Sequence, residues 1–594
     1  MKEATSFYNN RLKKYQSAHS KISRKLVISG MLRLLAFLLF CAAVYFFFGN
    51  LQVLLPAALV LIVLFIFLVS RHNDLKKEKE KLSELININE QELNILKTHD
   101  YSELTDGKEF EKEDHEYCRD IDLFGRKSFF QYLNRTALKE GKAKLAESLL
   151  ENECDNILKK QEATRELSAK ADWRQDFTAT ARLVRSETRS STILDWLGNY
   201  QQFVPKIMAW IPGLFSVISV GVFLAFYFSI IPGLAVGLWL VIGIGITAIY
   251  LKKVNELSEK AGKTMDTFQQ YHQLLALIEK EDFEAAYLKD FKESIQSEKE
   301  KASVLLKKFS RKIDSLDQRN NFLFGFLANG FFLWDLRYAY AIEKWIGNYS
   351  EIVEHWFEAV ETLDAWNSLG NFDFNHQHYV YPEILSENKG IKAKKLGHPL
   401  LNPDKRVTND FEINSEEFFI ITGANMAGKS TFLRTVALQI LMSNIGLPVC
   451  AESCQYSPIK LITSMRTSDS LGDDESYFFS ELKRLKFIVD HIEKDQYFII
   501  LDEILKGTNS TDKAIGSKKF VQRLVKSGST GIIATHDLSL CEISEELIAV
   551  KNFYFDAEIL HNELHFDYQL KNGICKNMNA SFLLRKMKIV DEEN

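Results

Sequence analysis

Proline is scarce in this sequence, with 9 in 594 residues against 43 phenylalanines and a hydrophobic content of 46%. Such a chain is neither disordered nor collagen-like, and it favours long uninterrupted helices. Cysteine is sparse as well. The seven cysteines lie at 41, 118, 154, 450, 454, 541 and 575 with no C-x-x-C pair. That spacing suggests neither a zinc ribbon nor a disulfide framework, and the chain reads as reduced and intracellular. An excess of positive charge is missing too. With a formal net charge of -5, any contact with nucleic acid must come from local basic patches. The length leaves room for about four domains of roughly 150 residues each.

Charge is absent altogether from two long stretches, Leu34 to Ser70 over 37 positions and Ile207 to Leu251 over 45 positions. A helical bilayer crossing takes about 20 apolar residues. Each stretch is therefore read as a hairpin of two crossings, broken at Gly49-Asn50 with Pro56 and at Pro232-Gly233. This predicts four transmembrane helices, because buried core helices rarely run so far without a charge. Lys2, Arg11, Lys13, Lys14, Lys21, Arg24, Lys25 and Arg33 precede the first hairpin, and Arg71, Lys76 and Lys77 follow it. Lys206 and Lys252-Lys253 bracket the second. Positive charge stays on the cytoplasmic side. The expectation is a multi-pass protein of the cell (inner) membrane, with its N-terminus, residues 71–206 and residues 252–594 cytoplasmic. The apolar run starts late and spans twice, which argues against a cleaved signal peptide. The 13-residue run Phe322–Trp334 is short for a crossing and reads as a buried or interfacial helix, with a fifth crossing as the other reading.

The soluble parts read as long helices. Leu82, Leu85, Leu93 and Leu96 recur at helical spacing between residues 72 and 98. That stripe suits an intramolecular helix pair, with a dimerising coiled coil as the other reading. The cluster Lys307-Lys308-Phe309-Ser310-Arg311-Lys312 reads as an exposed face rather than a phosphate track. The layout predicted is a basic leader (1–33), a first transmembrane hairpin (34–70), a first helical part (71–206), a second hairpin (207–251), a second helical part (252–385) and a C-terminal domain (386–594).

In that last domain short apolar strands alternate with helices. The strand pattern Phe418-Phe419-Ile420-Ile421-Thr422 runs into Gly423-Ala424-Asn425-Met426-Ala427-Gly428-Lys429-Ser430-Thr431 and then into a helix. This is G-x-x-x-x-G-K-S in the strand-to-helix setting that a phosphate loop requires. Gly423 and Gly428 let the backbone wrap phosphates, and the amides and helix N-terminus supply positive potential. Lys429 is suited to the β- and γ-phosphates of ATP, and the Ser430 hydroxyl to Mg²⁺. A second buried strand, Tyr497-Phe498-Ile499-Ile500-Leu501, ends in Asp502-Glu503. Asp502 fits a Mg²⁺ ligand, and Glu503 a base that polarises the attacking water. A third, Thr530-Gly531-Ile532-Ile533-Ala534, ends in Thr535-His536, and His536 is placed to sense the γ-phosphate. The fold class expected is an α/β P-loop ATPase domain preceded by an all-α lever region.

These residues, in this order, resemble the MutS family of DNA mismatch repair ATPases, relatives of the ABC ATPases. Thr422–Thr431 is similar to that family's T-G-P-N-M-G-G-K-S-T, and Gly397-His398-Pro399-Leu400-Leu401 looks like its approach to the ATPase domain. Ser476-Tyr477-Phe478-Phe479-Ser480-Glu481-Leu482 resembles its S-T-F-x-x-E-M segment, which implies that Ser476 reaches the γ-phosphate held by the other subunit of a homodimer. Asn552-Phe553-Tyr554-Phe555-Asp556 stands where the family stacks an aromatic ring on adenine, making Tyr554 the candidate, with a plain core strand residue as the other reading. A weaker likeness marks Asp122-Leu123-Phe124-Gly125, Leu133, Thr136, Gly141 and Leu145 as the start of the helical core and Leu363-Asp364-Ala365-Trp366 as its end.

The departures bear on function. Residues 1–110 leave no room for the family's mismatch-reading domain, and the second hairpin falls near where the DNA clamp would be inserted. Ala427 replaces a loop glycine, and Asp474-Glu475 precede Ser476 where the family tends to have Gly-Arg. The resemblance implies binding of duplex, mismatched or branched DNA. A membrane-associated ATPase that uses the same motor without DNA, in signalling or envelope remodelling, stays open beside it. An ABC exporter is disfavoured by the absence of an L-S-G-G-Q run.

Overall fold

The protein is described from a computed structural model covering residues 2–183, 188–296, 300–386, 388–424, 426–466, 477–506, 509–560 and 563–575. Two helices of 46 and 48 residues, Lys2–Phe47 and Leu51–Thr98, open the chain as an antiparallel hairpin. Its turn is closed by the Asn50 amide donating to the Phe47 carbonyl at 2.9 Å. Pro56, past the first turn of the second helix, lacks the amide that would bond the Gln52 carbonyl, yet the helix continues through it. The basic leader and the apolar run form one continuous helix. The leucine stripe packs within the chain: Leu82, Leu85 and Ile88 meet Tyr15 and Ala179, and Leu93 meets Ala4 and Tyr8.

In its described residues the structure does not have the four transmembrane helices that the uncharged stretches predict. Among the described residues two helices, those of the first hairpin, are long and apolar enough to cross a bilayer. The second stretch divides into Ile211–Tyr227 and Gly233–Ala248, of 17 and 16 residues, short of a crossing each. The helix Gly233–Ala248 meets Leu251–Lys280 at a bend of 67°, and counting that pair as one span raises the number to three. The break falls where the sequence places it, at Pro232-Gly233, but an uncharged run does not show how much of it each helix takes up.

A 42-residue helix, Trp334–Asn375, runs through the middle of the helical region. Its Asp364 accepts from the Ala137 and Leu138 amides at 3.0 and 2.9 Å. Gly141 sits so close that an added Cβ would lie 2.2 Å from the Asp364 carboxylate. The two weakly resembling segments, around residues 136–145 and 363–366, are thus one joint.

The C-terminal part is built on a six-stranded sheet. In spatial order its strands are Leu570–Asn572, Val550–Phe555, Phe418–Gly423, Thr530–Ala534, Tyr497–Asp502 and Lys460–Ser464. All neighbours are parallel except the antiparallel edge Leu570–Asn572. Every residue of Phe418–Gly423 and Thr530–Ala534 is buried, as expected where helices cover both faces of a parallel sheet. Phe418, Ile420 and Ile533 point to one face with Leu485, Ile488 and Val521; Phe419, Ile421 and Ile532 point to the other with Leu433, Val436 and Ile440.

Candidate functional site

The phosphate loop leaves the centre of this sheet. Gly423 has φ 149°, and a Cβ there would come within 2.6 Å of the Phe555 carbonyl oxygen; Gly428 has φ 103°. Only glycine meets both demands without strain. The helix Lys429–Asn444 starts at once, so its first amides point back into the loop. Lys429, buried to 6% exposure, donates from Nζ to the Gly423 and Ala424 carbonyls at 2.7 and 3.1 Å. Burial lowers the pKa of its ammonium.

The neighbouring strands end beside that lysine. Ser430 Oγ donates to Asp502 Oδ2 at 2.6 Å. Burial raises the Asp502 carboxyl above its usual range. Glu503, with φ 51°, turns out of the strand while its amide donates to the Ala534 carbonyl at 2.9 Å. Its Oε1 lies 2.9 Å from His536 Nε2. That contact, helped by Lys506 at 3.6 Å, holds the Glu503 carboxyl at about 2. His536 Nε2 is also 3.2 Å from Lys429 Nζ. When Nε2 carries the proton it donates to Glu503, and the ammonium then approaches it without a hydrogen bond.

These groups line one cavity of about 690 Å³, which also includes Ala424, Met426, Gly428 and Thr431. It lies beyond the carboxyl ends of parallel strands, where ligands of open α/β sheets bind. Its chemistry is two-sided. It holds a buried cation at the loop, and beside it a hydroxyl and two carboxylates. Ser430 Oγ and Asp502 Oδ2 are hard oxygen donors close enough to share one hard divalent ion, the donor set Mg²⁺ prefers alongside phosphate oxygens. Glu503, ionised and oriented by His536, can take up a proton from a water molecule. The structure thus brings together Gly423, Ala424, Gly428, Lys429, Ser430, Asp502, Glu503 and His536. Ala427 is fully buried beneath the loop. Asn425, Ser476 and the acidic pair Asp474-Glu475 lie outside the described residues.

Tyr554 is the residue that geometry displaces. It pairs with Thr422 on one side and Lys571 on the other, and its ring lies 3.8 Å from the Cβ position of Gly573, not in the cavity. Strand alternation turns Phe555 inward instead. The aromatic wall missing from the sequence reading is Tyr568, which lies 3.0 Å from the Cβ position of Gly428. Asn409 fixes it by donating to the Tyr568 carbonyl at 3.0 Å and accepting from the Leu570 amide at 2.7 Å. No local signal marks Tyr568, since Asn409 is 159 residues away. His398 also lines the wall, its pKa lowered to about 4 by burial. Its signal in the sequence is the Gly397-His398-Pro399 run, which resembles a domain approach and does not by itself mark a site.

The helical region grips this domain at the same place. Asp120 accepts from Thr463 Oγ1 at 2.6 Å and from the Arg466 amide at 2.8 Å, and its carbonyl accepts from Arg434 at 3.0 Å. Arg434 belongs to the helix that begins with Lys429.

Residues 419–589 match the family model described as MutS domain V. The DNA mismatch repair protein MutS of Prochlorococcus marinus is 30% identical over 246 residues, covering 39% of this chain and 26% of that protein. The MutS protein homolog 4 of Homo sapiens is 31% identical over 249 residues, again 39% and 26%. The MutS of Fervidobacterium nodosum is 26% identical over 318 residues, 52% of this chain and 34% of that protein. The chain therefore spans about a quarter to a third of the length of these relatives. Residues 419–589 thus carry a MutS domain V, C-terminal to a mostly helical region, and this part of the chain supports its membership of the MutS family.

Proposed function

We propose that this chain is a membrane-anchored ATPase that binds ATP with Mg²⁺ in the cavity beside Lys429 and hydrolyses it as a homodimer. One observation carries the reading: Lys429, Ser430, Asp502, Glu503 and His536 converge on one cavity from three adjacent parallel strands. ATP phosphates take over the Lys429 protons now given to the loop carbonyls. Ser430 and Asp502 hold the metal, which neutralises phosphate charge. Glu503 orients the attacking water and accepts its proton, with His536 keeping that carboxylate aimed. Phe555 and Tyr568 flank the base, and Ser476 completes the partner's site. The first hairpin anchors the chain in the cell membrane with the ATPase domain cytoplasmic, a reading supported by the basic residues before Leu34 and after Ser70.

Nucleotide-driven closure of the dimer moves the helical region through Asp120 and Arg434, and the natural cargo of that motion is DNA, as the names of the relatives suggest. ATPase assays on the detergent-solubilised chain test the site: full activity in Glu503→Gln protein refutes it. A second reading, the same motor acting without DNA, is favoured by the apolar surface around residues 211–248 and 322–332, where several large side chains are exposed. Gel shifts with duplex, mismatched and branched DNA decide, since phosphate contacts strengthen as salt falls. Absence of binding at low salt leaves the second.

A further inference from the structure

The helices Ile211–Tyr227, Gly233–Ala248 and Phe322–Phe332 form a lobe with an unusual inside and outside. Inside, backbones touch: a Cβ on Gly243 would lie 2.2 Å from the Gly330 carbonyl oxygen. The polar side chains there satisfy each other, with Trp239 Nε1 donating to Ser219 Oγ at 2.8 Å and that hydroxyl donating to the Phe331 carbonyl at 2.6 Å. Outside, the surface is apolar on all three helices, Val217 being 70% exposed, Leu234 76%, Phe322 84% and Leu323 67%. Polar groups consumed within and hydrocarbon presented outward is the pattern that lipid demands.

All four passages of chain into and out of the lobe are tied at one base. Glu343 accepts from the Phe203 and Val204 amides at 2.8 and 3.1 Å. Arg319 pairs with Asp335 at 3.2 Å and donates to Asn255 at 2.6 Å. The lobe therefore projects from one side only. Its longest helix, of 17 residues, rises about 25 Å, and the 11-residue helix about 16 Å. The hydrocarbon core is about 30 Å thick, so the lobe reaches into it without bridging it. The uncharged tip Ser229-Ile230-Ile231-Pro232 has nothing to hold it at a far surface.

The lobe leaves the helical region on the same side as the apolar part of the first hairpin. Lys170 meets Glu281 at 2.5 Å and Arg11 meets Asp172, so Arg11 and Glu281 share a level. From that level the helix Leu251–Lys280 runs 30 residues to the lobe, about 45 Å. From Arg11 the first helix runs on to its apolar stretch, which begins at Leu34. The helices run the same way, since Lys81 meets Asp176 at 2.5 Å while Thr188 donates to the Lys263 carbonyl at 2.9 Å.

We propose that this three-helix lobe is a wedge seated in the lipid leaflet nearest the ATPase domain, on the same side of the helical region as the first hairpin and exposed on neither surface. The proposal rests on the membrane reading above, and its test separates the two. Cys41 is the exposed cysteine among the described residues, so a fluorophore on it reports the hairpin. Leu323→Cys and Ile230→Cys, each in a Cys41→Ser background, report the lobe. The full-length protein is reconstituted into vesicles of phosphatidylethanolamine and phosphatidylglycerol, and quenching by lipid-tethered nitroxides is compared with quenching by a water-soluble quencher. Both lobe probes should lose most of their emission to the lipid nitroxides and little to the aqueous quencher. Aqueous quenching at Leu323→Cys, with lipid quenching at Cys41, overturns the wedge and leaves the anchor standing. Labelling of Ile230→Cys by an impermeant maleimide from the side opposite the ATPase domain overturns it in favour of a crossing hairpin. Aqueous quenching at Cys41, with lipid quenching at both lobe probes, supports the wedge and removes the hairpin anchor.

Discussion

The two ends of this molecule use burial in opposite senses. In the C-terminal sheet, buried strands carry polar groups to one edge, where they lie 2.6 to 3.2 Å from one another. In the first hairpin and the lobe, helices keep polar groups inside or at the base and turn hydrocarbon outward. A site that handles a charged ligand needs a preorganised polar pocket. A surface that meets lipid needs none, and pays no penalty for apolar exposure. The contrast teaches that exposed leucine and buried lysine are each consistent once the solvent on either side is specified.

The sharpest way to break this contrast is at the polar end. Lys429→Ala should abolish nucleotide retention in equilibrium dialysis, because the remaining groups around the phosphates include two carboxylates. Glu503→Gln should keep nucleotide but lower kcat by about 10²- to 10⁴-fold, the usual worth of a positioned general base. Steady-state assays beside a nucleotide-binding measurement distinguish these outcomes.

A pH profile sharpens the role of His536. Glu503 is held at about 2 by its His536 contact. A carboxyl depressed in this way stays ionised on acidification, and its contribution to stability is present above its unfolded pKa and lost as pH falls toward 2. His536→Gln should move the acid limb of kcat/KM attributable to Glu503 upward, toward the ordinary carboxylate range, while Asp495→Asn, remote from the cavity, should not.

The aromatic wall offers a smaller effect. Tyr568→Ala should weaken ATP binding by about 1–3 kcal/mol if its ring stacks on the base, the range found for base–aromatic stacking. Tyr554→Ala should leave the affinity unchanged, and isothermal titration compares the two. At the helical joint, Gly141→Ala should cost about 1–3 kcal/mol, because the added methyl collides with Asp364 in a packed site. Thermal unfolding measures it. Its effect on nucleotide affinity should be small, since the joint and the cavity share no residue.

Legibility in the sequence followed the range of the interactions. The phosphate loop is a local device: glycines at 423 and 428, then Lys429 and Ser430, act within a single strand-to-helix turn, so spacing reveals them. Asp502, Glu503 and His536 were legible because buried strands have a readable end. The place of Tyr554 was not, because its strand's inward face is chosen by pairing with Phe418–Gly423 and Leu570–Asn572. The number of helices long and apolar enough to cross a bilayer likewise escaped composition, which sees uncharged residues but not the lengths of Ile211–Tyr227 and Gly233–Ala248 or the bend of 67° that follows Ala248.

By itself the sequence determined the chemistry of the loop and the existence of the apolar segments, since both depend on residue type over a few turns of chain. Tertiary structure alone decided which aromatic side chain faces the cavity and how the apolar helices are grouped. It also decided that residues 136–145 meet residues 363–366. Those outcomes are set by packing between elements far apart in the chain, and no local pattern records them.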